Sequence, residues 1–294
     1  MQLLAYLLLY PILWVLSILP WRILYVVSDA IYLVAYYLVG YRKSTVRKNL
    51  ELAFPEKSDK QRREIEQKVY HHMCDNFLEM VKTLTISRDE MEKHFHFTNL
   101  ELFLELQKQN RNIMVYASHY GTYEWIISVN YHTVNNGFAV YKRIRNPYFD
   151  KLVRKIRGRF RAHLITTKET IPTITKNRVA GVVGTYGLVS DQSPKASSIS
   201  HWTEFMGIQT PVHIGPEMLA KRYDMIALNL RVDQVKRGFY EATFEILSEN
   251  PREIPNFEIT DDYMKRLEKQ IRKVPELYLW THKRWKHRKP DAVK

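Results

Sequence analysis

The sequence predicts an α/β protein, an αβα sandwich with a mixed central sheet that is preceded by an N-terminal hydrophobic membrane-anchor helix. Three observations support this prediction. No charged residue occurs between Met1 and Arg22. Further along the chain, short apolar runs bounded by polar residues alternate with helical patterns, as in α/β sandwiches. The last two extended runs are joined by DQVKRG, which favours a hairpin and therefore a sheet that is not purely parallel.

The apolar stretch MQLLAYLLLYPILWVLSILPW makes residues 1–22 a candidate transmembrane anchor. About 20 apolar residues suffice to cross the hydrocarbon core of a bilayer. A cleaved signal peptide would need a basic start and small residues near its end, and neither is present. We therefore expect this segment to hold the protein at a membrane.

Residues 23–57 form a hydrophobic and basic interfacial segment. Its apolar run, 23–41, is interrupted by Asp29 and followed by RKSTVRK. The run is equally compatible with a second crossing and with a buried or interfacial helix. Cations that flank apolar segments favour the cytoplasmic side, so we expect the remaining domain, residues 58–294, to lie there.

Helices are predicted from apolar residues at helical spacing and from capping residues. Ser58 is the expected N-cap of a long helix. Thr98 and Glu101 have the spacing of a capping box, and Thr260 is the expected N-cap of the closing helix. The predicted helices cover 58–84, 98–110, 123–132, 148–160, 216–224 and 260–274. The predicted strands cover 112–118, 138–143, 163–167, 181–191, 225–232 and 239–247.

Composition restricts the classes of site. The only cysteine, Cys74, excludes an intrachain disulfide and a cysteine-based zinc site. No H-E-x-x-H motif occurs, and we predict no metal site. The net charge of +14 favours anionic partners. Nine cations and one acid lie in residues 142–161, but no RNA-binding or zinc-finger signature accompanies them.

A histidine precedes a glutamate by five residues at two places, His96/Glu101 and His119/Glu124. Glu101 has a capping role in the first pair. His119 follows a predicted buried strand, at the end where open α/β sheets bind ligands. With His119 on the loop and Glu124 in the first helical turn, the two side chains can meet, and Gly121 permits the bend.

A histidine held by a carboxylate is an arrangement suited to general-base catalysis, because the carboxylate fixes the tautomer and stabilises the imidazolium. The nucleophile would then be a hydroxyl of the substrate, since no G-x-S-x-G motif surrounds Ser118. A buried, satisfied polar pair is the competing interpretation of His119 and Glu124.

The motifs together resemble the late acyltransferases of lipid A biosynthesis (HtrB/MsbB type), within the H-x4-D/E lysophospholipid acyltransferase superfamily. The resemblance covers nearly the whole chain and depends on no single motif. The matching segments are VRKNLELAFPEKS (46–58), SHYGTYE (118–124), VYKRIRNPYFD (140–150), SDQSP (190–194), FMG (205–207), GPEMLAKR (215–222) and PELYLWTHKRWKHRKP (275–290).

The resemblance implies His119 as the catalytic base and Glu124 as its orienting partner. It also implies that Arg159 binds an anionic group of a substrate and that Asp191 supports the site. For Arg159 the alternative is an exposed cation, and for Asp191 it is a turn at the end of a strand.

Two further cations, Lys142 and Arg143, are candidate substrate-binding residues. They stand where the family often has Arg followed by Pro. The aromatic and cationic block of Trp280, His282, Arg284 and Trp285 has two interpretations, a belt at the membrane surface and packing of the C-terminal segment.

The implied reaction transfers a fatty acyl group from an acyl thioester, with acyl carrier protein as donor, to a hydroxyl of a lipid A precursor. No cofactor is expected because the thioester is already activated. The implied location is the bacterial inner membrane, with the catalytic domain on its cytoplasmic face. Three alternatives stay open: another acceptor lipid, such as an aminolipid or a lysophospholipid; a membrane-bound hydrolase; and a membrane-anchored nucleic-acid-binding protein.

Overall fold

The computed structural model describes residues 2–287, so the end of segment 275–290 lies outside the described residues. The helices are α1 (Gln2–Ile18), α2 (Trp21–Leu33), α3 (Lys43–Ala53), α4 (Asp59–Lys82), α5 (Arg88–His94), α6 (Leu100–Lys108), α7 (Pro147–Gly158), α8 (Thr170–Val179), α9 (Gly215–Tyr223) and α10 (Glu258–Lys273). The strands are β1 (Phe95–Phe97), β2 (Ile113–Ala117), β3 (Asn136–Tyr141), β4 (His163–Thr166), β5 (Gly184–Val189), β6 (Trp202–Phe205), β7 (Ile208–Pro211), β8 (Ile226–Lys236) and β9 (Phe239–Ser248).

Seven strands form one mixed sheet in the order β1-β9-β8-β2-β5-β3-β4. The five strands β8, β2, β5, β3 and β4 are parallel to one another, β8 and β9 pair antiparallel as a hairpin, and β1 pairs parallel with β9. β6 and β7 form a separate two-stranded ribbon. The predicted α/β class, the mixed sheet and the terminal hairpin are confirmed.

Both faces of the sheet are buried, as the continuous apolar run of β2 requires. Met114 and Tyr116 point into a core that includes α4, α9 and α10, whereas Ile113 and Val115 point into a core formed with α5 and α6. Side chains alternate across a strand, so one apolar run serves both layers. This arrangement is the predicted αβα sandwich.

Of the three predicted helix starts, one is confirmed and two are wrong. The Ser58 side chain accepts from the Gln61 backbone N–H and completes a capping box. The Thr98 hydroxyl instead contacts strand β9, and α6 starts after Asn99 without a side-chain cap. Thr260 lies within α10, whose first N–H groups are capped from a distance by the carboxylate of Glu217.

The N-terminal helices α1 and α2 are apolar and lie before the catalytic domain. A six-residue π-helical segment, Val34–Val39, continues α2. The continuous stretch Trp21–Val39 is long and apolar enough to cross a membrane by length and composition, and the apolar helix Gln2–Ile18 is shorter. The predicted apolar N-terminal helix is therefore present, and both helices contact α4.

Candidate active site

The site lies where parallel strands β2 and β5 end side by side. Their register pairs Ala117 with Val189, the last residue of each strand. His119 and Asp191 are each two residues further along, so the sheet brings them to the same edge. This is the carboxyl edge at which open α/β sheets form their ligand crevices.

Asp191 holds His119 through two contacts. The imidazole Nδ1 lies 2.7 Å from Asp191 Oδ1, and the His119 backbone N–H donates to the same oxygen at 3.1 Å. Asp191 is only 1 % exposed and His119 19 %. An ionised carboxylate accepts, so Nδ1 carries the proton and Nε2 has a free lone pair.

Burial and charge act in opposite directions on this pair. Burial alone lowers the pKa of His119, but the charge of Asp191 and its hydrogen bond outweigh that effect, and the net shift is upward. Burial raises the pKa of Asp191, but the charge and hydrogen bonds of His119 more than offset this effect. The net shift lowers the pKa of Asp191, which favours the ionised carboxylate. The pair therefore favours an imidazolium facing a carboxylate once the ring takes a proton.

Within the described residues, the Nε2 side of the ring has one long polar contact. The Gln192 side-chain nitrogen lies 3.4 Å from Nε2, a long contact that a hydroxyl can replace. The ring of Tyr123 stands edge-on to the imidazole, with centroids 4.8 Å apart. His119 thus has one nitrogen fixed by the protein and one available for proton transfer.

Backbone hydrogen bonds to the segment after α10 and a side-chain hydrogen bond from α4 fix the loop that carries His119. Gly121 has a φ of +59° and donates to the carbonyl of Leu277 at 3.0 Å. Its carbonyl accepts from the Asn76 side chain at 3.1 Å. A Cβ at this position would lie 3.1 Å from Val232, so both the conformation and the space favour glycine.

Glu124 does not orient His119 as the sequence suggested. Its carboxylate forms a bidentate pair with Arg157 of α7, with distances of 2.7–3.0 Å. The segment Tyr123–Tyr131 is a 3₁₀-helix, and Glu124 lies in its first turn facing α7. The orienting contact to Nδ1 comes from Asp191, but the charges of Glu124 and Arg157 still act on the pKa of His119.

The predicted anion-binding role of Arg159 is not supported by its contacts. Its guanidinium donates to the backbone carbonyls of Thr83 and Ile86, each at 2.8 Å. These carbonyls lie just beyond the last turn of α4, so Arg159 satisfies the end of that helix. Arg157, two residues earlier, is the cation that faces the site.

Lys142 and Arg143 are exposed on the loop between β3 and α7. Arg143 lies 4.0 Å from Asp150, and its side chain is 74 % exposed. Within the described residues, neither side chain forms a hydrogen bond or an ion pair with His119 or Asp191, so both belong to the cationic surface beside the site.

A narrow cleft of about 30 Å³ opens beside His119. Val69, Met73, Leu277 and Trp280 contribute apolar side chains to its wall. This volume holds little more than one water molecule. An acyl chain that enters from this direction must therefore widen the cleft.

Comparison with known proteins identifies the family. Residues 2–287 match the sequence model of the bacterial lipid A biosynthesis acyltransferases. The chain belongs to this family. It is 24 % identical over 283 residues to the lipid A biosynthesis lauroyltransferase of Escherichia coli K12, covering 96 % of this chain and 91 % of that protein. It is 25 % identical over 291 residues to the lipid A biosynthesis palmitoleoyltransferase of the same organism, covering 94 % and 89 %.

The family assigns an acyltransferase activity to the chain. Two residues close to His119 and Glu124 carry no distinguishing signal in the sequence. Arg157 is one of nine cations in residues 142–161, and Gln192 is a member of the SDQSP segment. The proximity of Gln192 to His119 depends on the β2–β5 pairing, which no local pattern shows.

The segment that follows α10 packs inside the protein. Trp280 is buried and donates to the carbonyl of Pro275, and Trp285 donates to the hydroxyl of Thr210. Arg284 is also buried and bonds to the carbonyl of Pro211. The interpretation of these residues as a belt at the membrane surface is therefore wrong, and the packing alternative is correct.

Proposed function

We propose that the protein transfers a fatty acyl group from acyl carrier protein to a hydroxyl of a lipid A precursor. The observation that carries this proposal is the state of His119, whose Nδ1 is hydrogen-bonded to a buried carboxylate while Nε2 has only a long contact with Gln192. A neutral imidazole held in this way accepts a proton from a hydroxyl that attacks a carbonyl. The family, together with the names of its lauroyl- and palmitoleoyltransferase members, supports lipid A biosynthesis as the pathway and a fatty acyl group as the group transferred.

The proposed step balances without a cofactor. Nε2 of His119 removes the proton of the acceptor hydroxyl as its oxygen attacks the thioester carbonyl carbon. The tetrahedral intermediate collapses, the C–S bond breaks, and the departing sulfur receives the proton from the imidazolium. The products are an ester and a free thiol. Asp191 stabilises the imidazolium throughout, as the carboxylate does in other histidine-carboxylate pairs.

The Glu124–Arg157 pair supplies the cation next to the reacting atoms in this proposal. Two N–H groups of the Arg157 guanidinium donate to the two oxygens of Glu124, and this bidentate contact fixes the orientation of the guanidinium. Burial lowers the pKa of Arg157, but the charge and hydrogen bonds of Glu124 more than offset it, so the group stays charged. We assign it to stabilisation of the oxyanion or of an anionic group of the substrate, in place of Arg159.

The donor proposal depends on the cationic surface of α7. Acyl carrier proteins are acidic, and complementary charge accelerates association and fixes orientation. Apart from Arg159, whose guanidinium is bonded to the carbonyls of Thr83 and Ile86, the exposed cations on α7 and its flanks are Lys142, Arg143, Arg145, Lys151, Arg154, Lys155 and Arg161. The same surface favours the anionic cytoplasmic leaflet, which agrees with the proposed location at the inner membrane.

Purified protein should be assayed with carrier-bound and coenzyme A-bound acyl groups and with separate acceptors: a lipid A precursor, an aminolipid and a lysophospholipid. Product masses identify the acceptor. The double variant Lys151→Glu/Lys155→Glu should raise KM for the carrier-bound donor but not for the coenzyme A thioester. Lys265→Glu/Lys269→Glu, exposed on α10, is the matched control. An acyl ester on another lipid, or free fatty acid alone, would refute the acceptor proposal.

A further inference from the structure

The two N-terminal helices are attached to the catalytic domain along their length. α1 is 17 residues long, or about 25 Å at 1.5 Å per residue. At its start, Asn146 donates to the carbonyl of Gln2 at 3.3 Å, and the Tyr6 ring stacks on Tyr148 of α7. At its end, Thr85 donates to the carbonyl of Ser17 at 2.6 Å. Both ends of α1 therefore contact the same folded domain.

The side of α2 that faces the domain buries Leu24 and also forms several polar contacts. Tyr25 donates to Glu79 at 2.9 Å and Ser28 to Asp75 at 2.5 Å, and both acceptors belong to α4. Asp29 pairs with Arg237 of the β8–β9 turn at 2.5 Å. A helix fixed by these groups cannot turn away from the domain without leaving buried polar partners unsatisfied.

The outward sides of the same helices are apolar, and their exposed side chains together make up what we call the apolar surface. On α1, the exposed side chains at successive turns are Leu4, Leu8, Ile12 and Val15. On α2 and its π-helical extension, they are Ile23, Val26, Leu33, Tyr37 and Leu38. Within the described residues, most of the large apolar side chains that are exposed lie between positions 3 and 41. A surface of this extent requires a partner.

Cations border this apolar surface at two places. Lys142, Arg143 and Arg145 lie beside the start of α1, next to Asn146, and Arg42 follows the end of the π-helical segment. Apolar side chains flanked by Lys and Arg fit the boundary between acyl chains and anionic headgroups.

We propose that residues 2–39 lie in the plane of one leaflet of an anionic bilayer and do not cross it. A crossing α1 would carry Gln2 to the opposite side, about 25 Å from Ser17, whereas α7 and α4 hold both ends on one side. A crossing α2 would expose Asp29 and Ser28 to acyl chains instead of to Arg237 and Asp75. This proposal concerns membrane topology and stands whichever lipid accepts the acyl group.

Cysteine labelling in spheroplasts tests the proposal, with a membrane-impermeant maleimide added before or after detergent. Three variants of the full chain report one position each: Gln2→Cys at the start of α1, Pro20→Cys between α1 and α2, and Lys265→Cys on α10. All three positions are exposed, and the native Cys74 is buried and gives the background. We expect all three positions to be labelled from the same side of the membrane.

Labelling of Gln2→Cys or Pro20→Cys from the side opposite to Lys265→Cys would overturn the proposal. The Pro20 position is needed because two crossing helices would return Gln2 to the side of the domain. The in-plane proposal requires only that all three positions lie on the same side of the membrane. If all three lay on the periplasmic side, the proposed cytoplasmic location would be refuted, but the in-plane arrangement of residues 2–39 would stand.

Depth measurement provides an independent readout. A fluorophore placed in turn at Leu4, Leu8, Ile12 and Val15 should lose fluorescence to spin-labelled lipids at the same depth in anionic vesicles. A crossing helix would instead give a deep centre and shallow ends. If a second copy of the chain covers the surface, quenching would be absent at all four positions, and that result would also overturn the proposal.

Discussion

Replacement of Asp191 by asparagine tests which of two carboxylates, Asp191 or Glu124, is the partner of His119. The change exchanges one oxygen for an NH₂ group at nearly constant volume. The amide cannot offer a charge to the imidazolium. If its NH₂ group faces Nδ1, the proton of the neutral ring moves to Nε2, and the base is lost.

The expected loss follows from the geometry. The Nδ1–Oδ1 distance of 2.7 Å is that of a charge-assisted hydrogen bond. One hydrogen bond to a charged group contributes about 1.5–3 kcal/mol, which is a factor of roughly 10 to 150 in rate. Reversal of the tautomer adds to this and brings the loss toward about 10⁴-fold. We expect Asp191→Asn to reduce kcat by about 10²- to 10⁴-fold.

The pH profile distinguishes the partner from a neighbour. As a general base His119 acts when neutral, so the rate falls as the pH drops through its raised pKa. Asp191→Asn removes the charge that raises this pKa and leaves burial, which lowers it, so the acid limb should move to lower pH. Glu124 contributes less to the shift, and Glu124→Gln should move the limb less.

The assay is initial rates of acyl transfer from pH 5 to 9, about the range in which histidine titrates, with thermal melts of each variant. His119→Ala should abolish transfer, and His96→Ala, at an exposed position on β1, should not. The melts matter because Asp191 also lies near the buried charge of Arg284. A fully active Asp191→Asn enzyme beside an inactive Glu124→Gln enzyme would refute the assigned pair.

Three further predictions follow from single contacts. Arg157→Lys keeps the charge but loses the bidentate contact to Glu124, so kcat should fall about tenfold or more in the same assay, from the loss of one charged hydrogen bond. Ser58→Ala should lower the free energy of unfolding by about 1 kcal/mol in urea titrations and leave kcat unchanged. Burial raises the pKa of Glu79 from 4.5 to about 7, so the folded state binds its proton more tightly and stability falls as pH rises through this window. Glu79→Gln should flatten that fall in urea titrations at pH 4.5 and 7, and an unchanged slope would exclude Glu79 as its source.

Most strands of the central sheet and most of the longer helices could be predicted because each carries its own signal, whereas α3, α5, α8, β1, β6 and β7 were not predicted. The apolar run before His119 is β2, and the helix that starts at Ser58 has both its cap and its spacing in the sequence. The wrong helix starts have a common cause. The Thr98 hydroxyl forms a hydrogen bond with Thr243 of β9. The backbone N–H of Thr260 donates to the carboxylate of Glu217, 43 residues earlier in the chain. Local capping rules cannot include a partner that the fold supplies.

Two of the predicted site residues, His119 and Asp191, lie in contact, whereas the contacts of Glu124 differ from the predicted ones because the fold supplies them. The H-x4-E spacing predicts a local pair, yet Glu124 faces Arg157, and the contact to His119 comes from Asp191, 72 residues away and just after β5. Arg157 and Arg159 are two residues apart, which rotates side chains by about 200° on a helix. One guanidinium therefore faces the site while the other caps α4, and composition alone cannot distinguish them.

Helix α4 ties the lipid-facing helices to the catalytic loop. Its Asp75 and Glu79 side chains hold α2, and its Asn76 side chain holds the carbonyl of Gly121, two residues after His119. The backbone carbonyl of Glu79 also accepts from the Trp125 indole at 3.3 Å. Because these groups lie within about one turn of one helix, the position of the base relative to α2 is set by the fold. If α2 lies in a leaflet, His119 therefore stands at a fixed distance from that leaflet, and an acceptor lipid can approach Nε2 while its acyl chains stay in the bilayer.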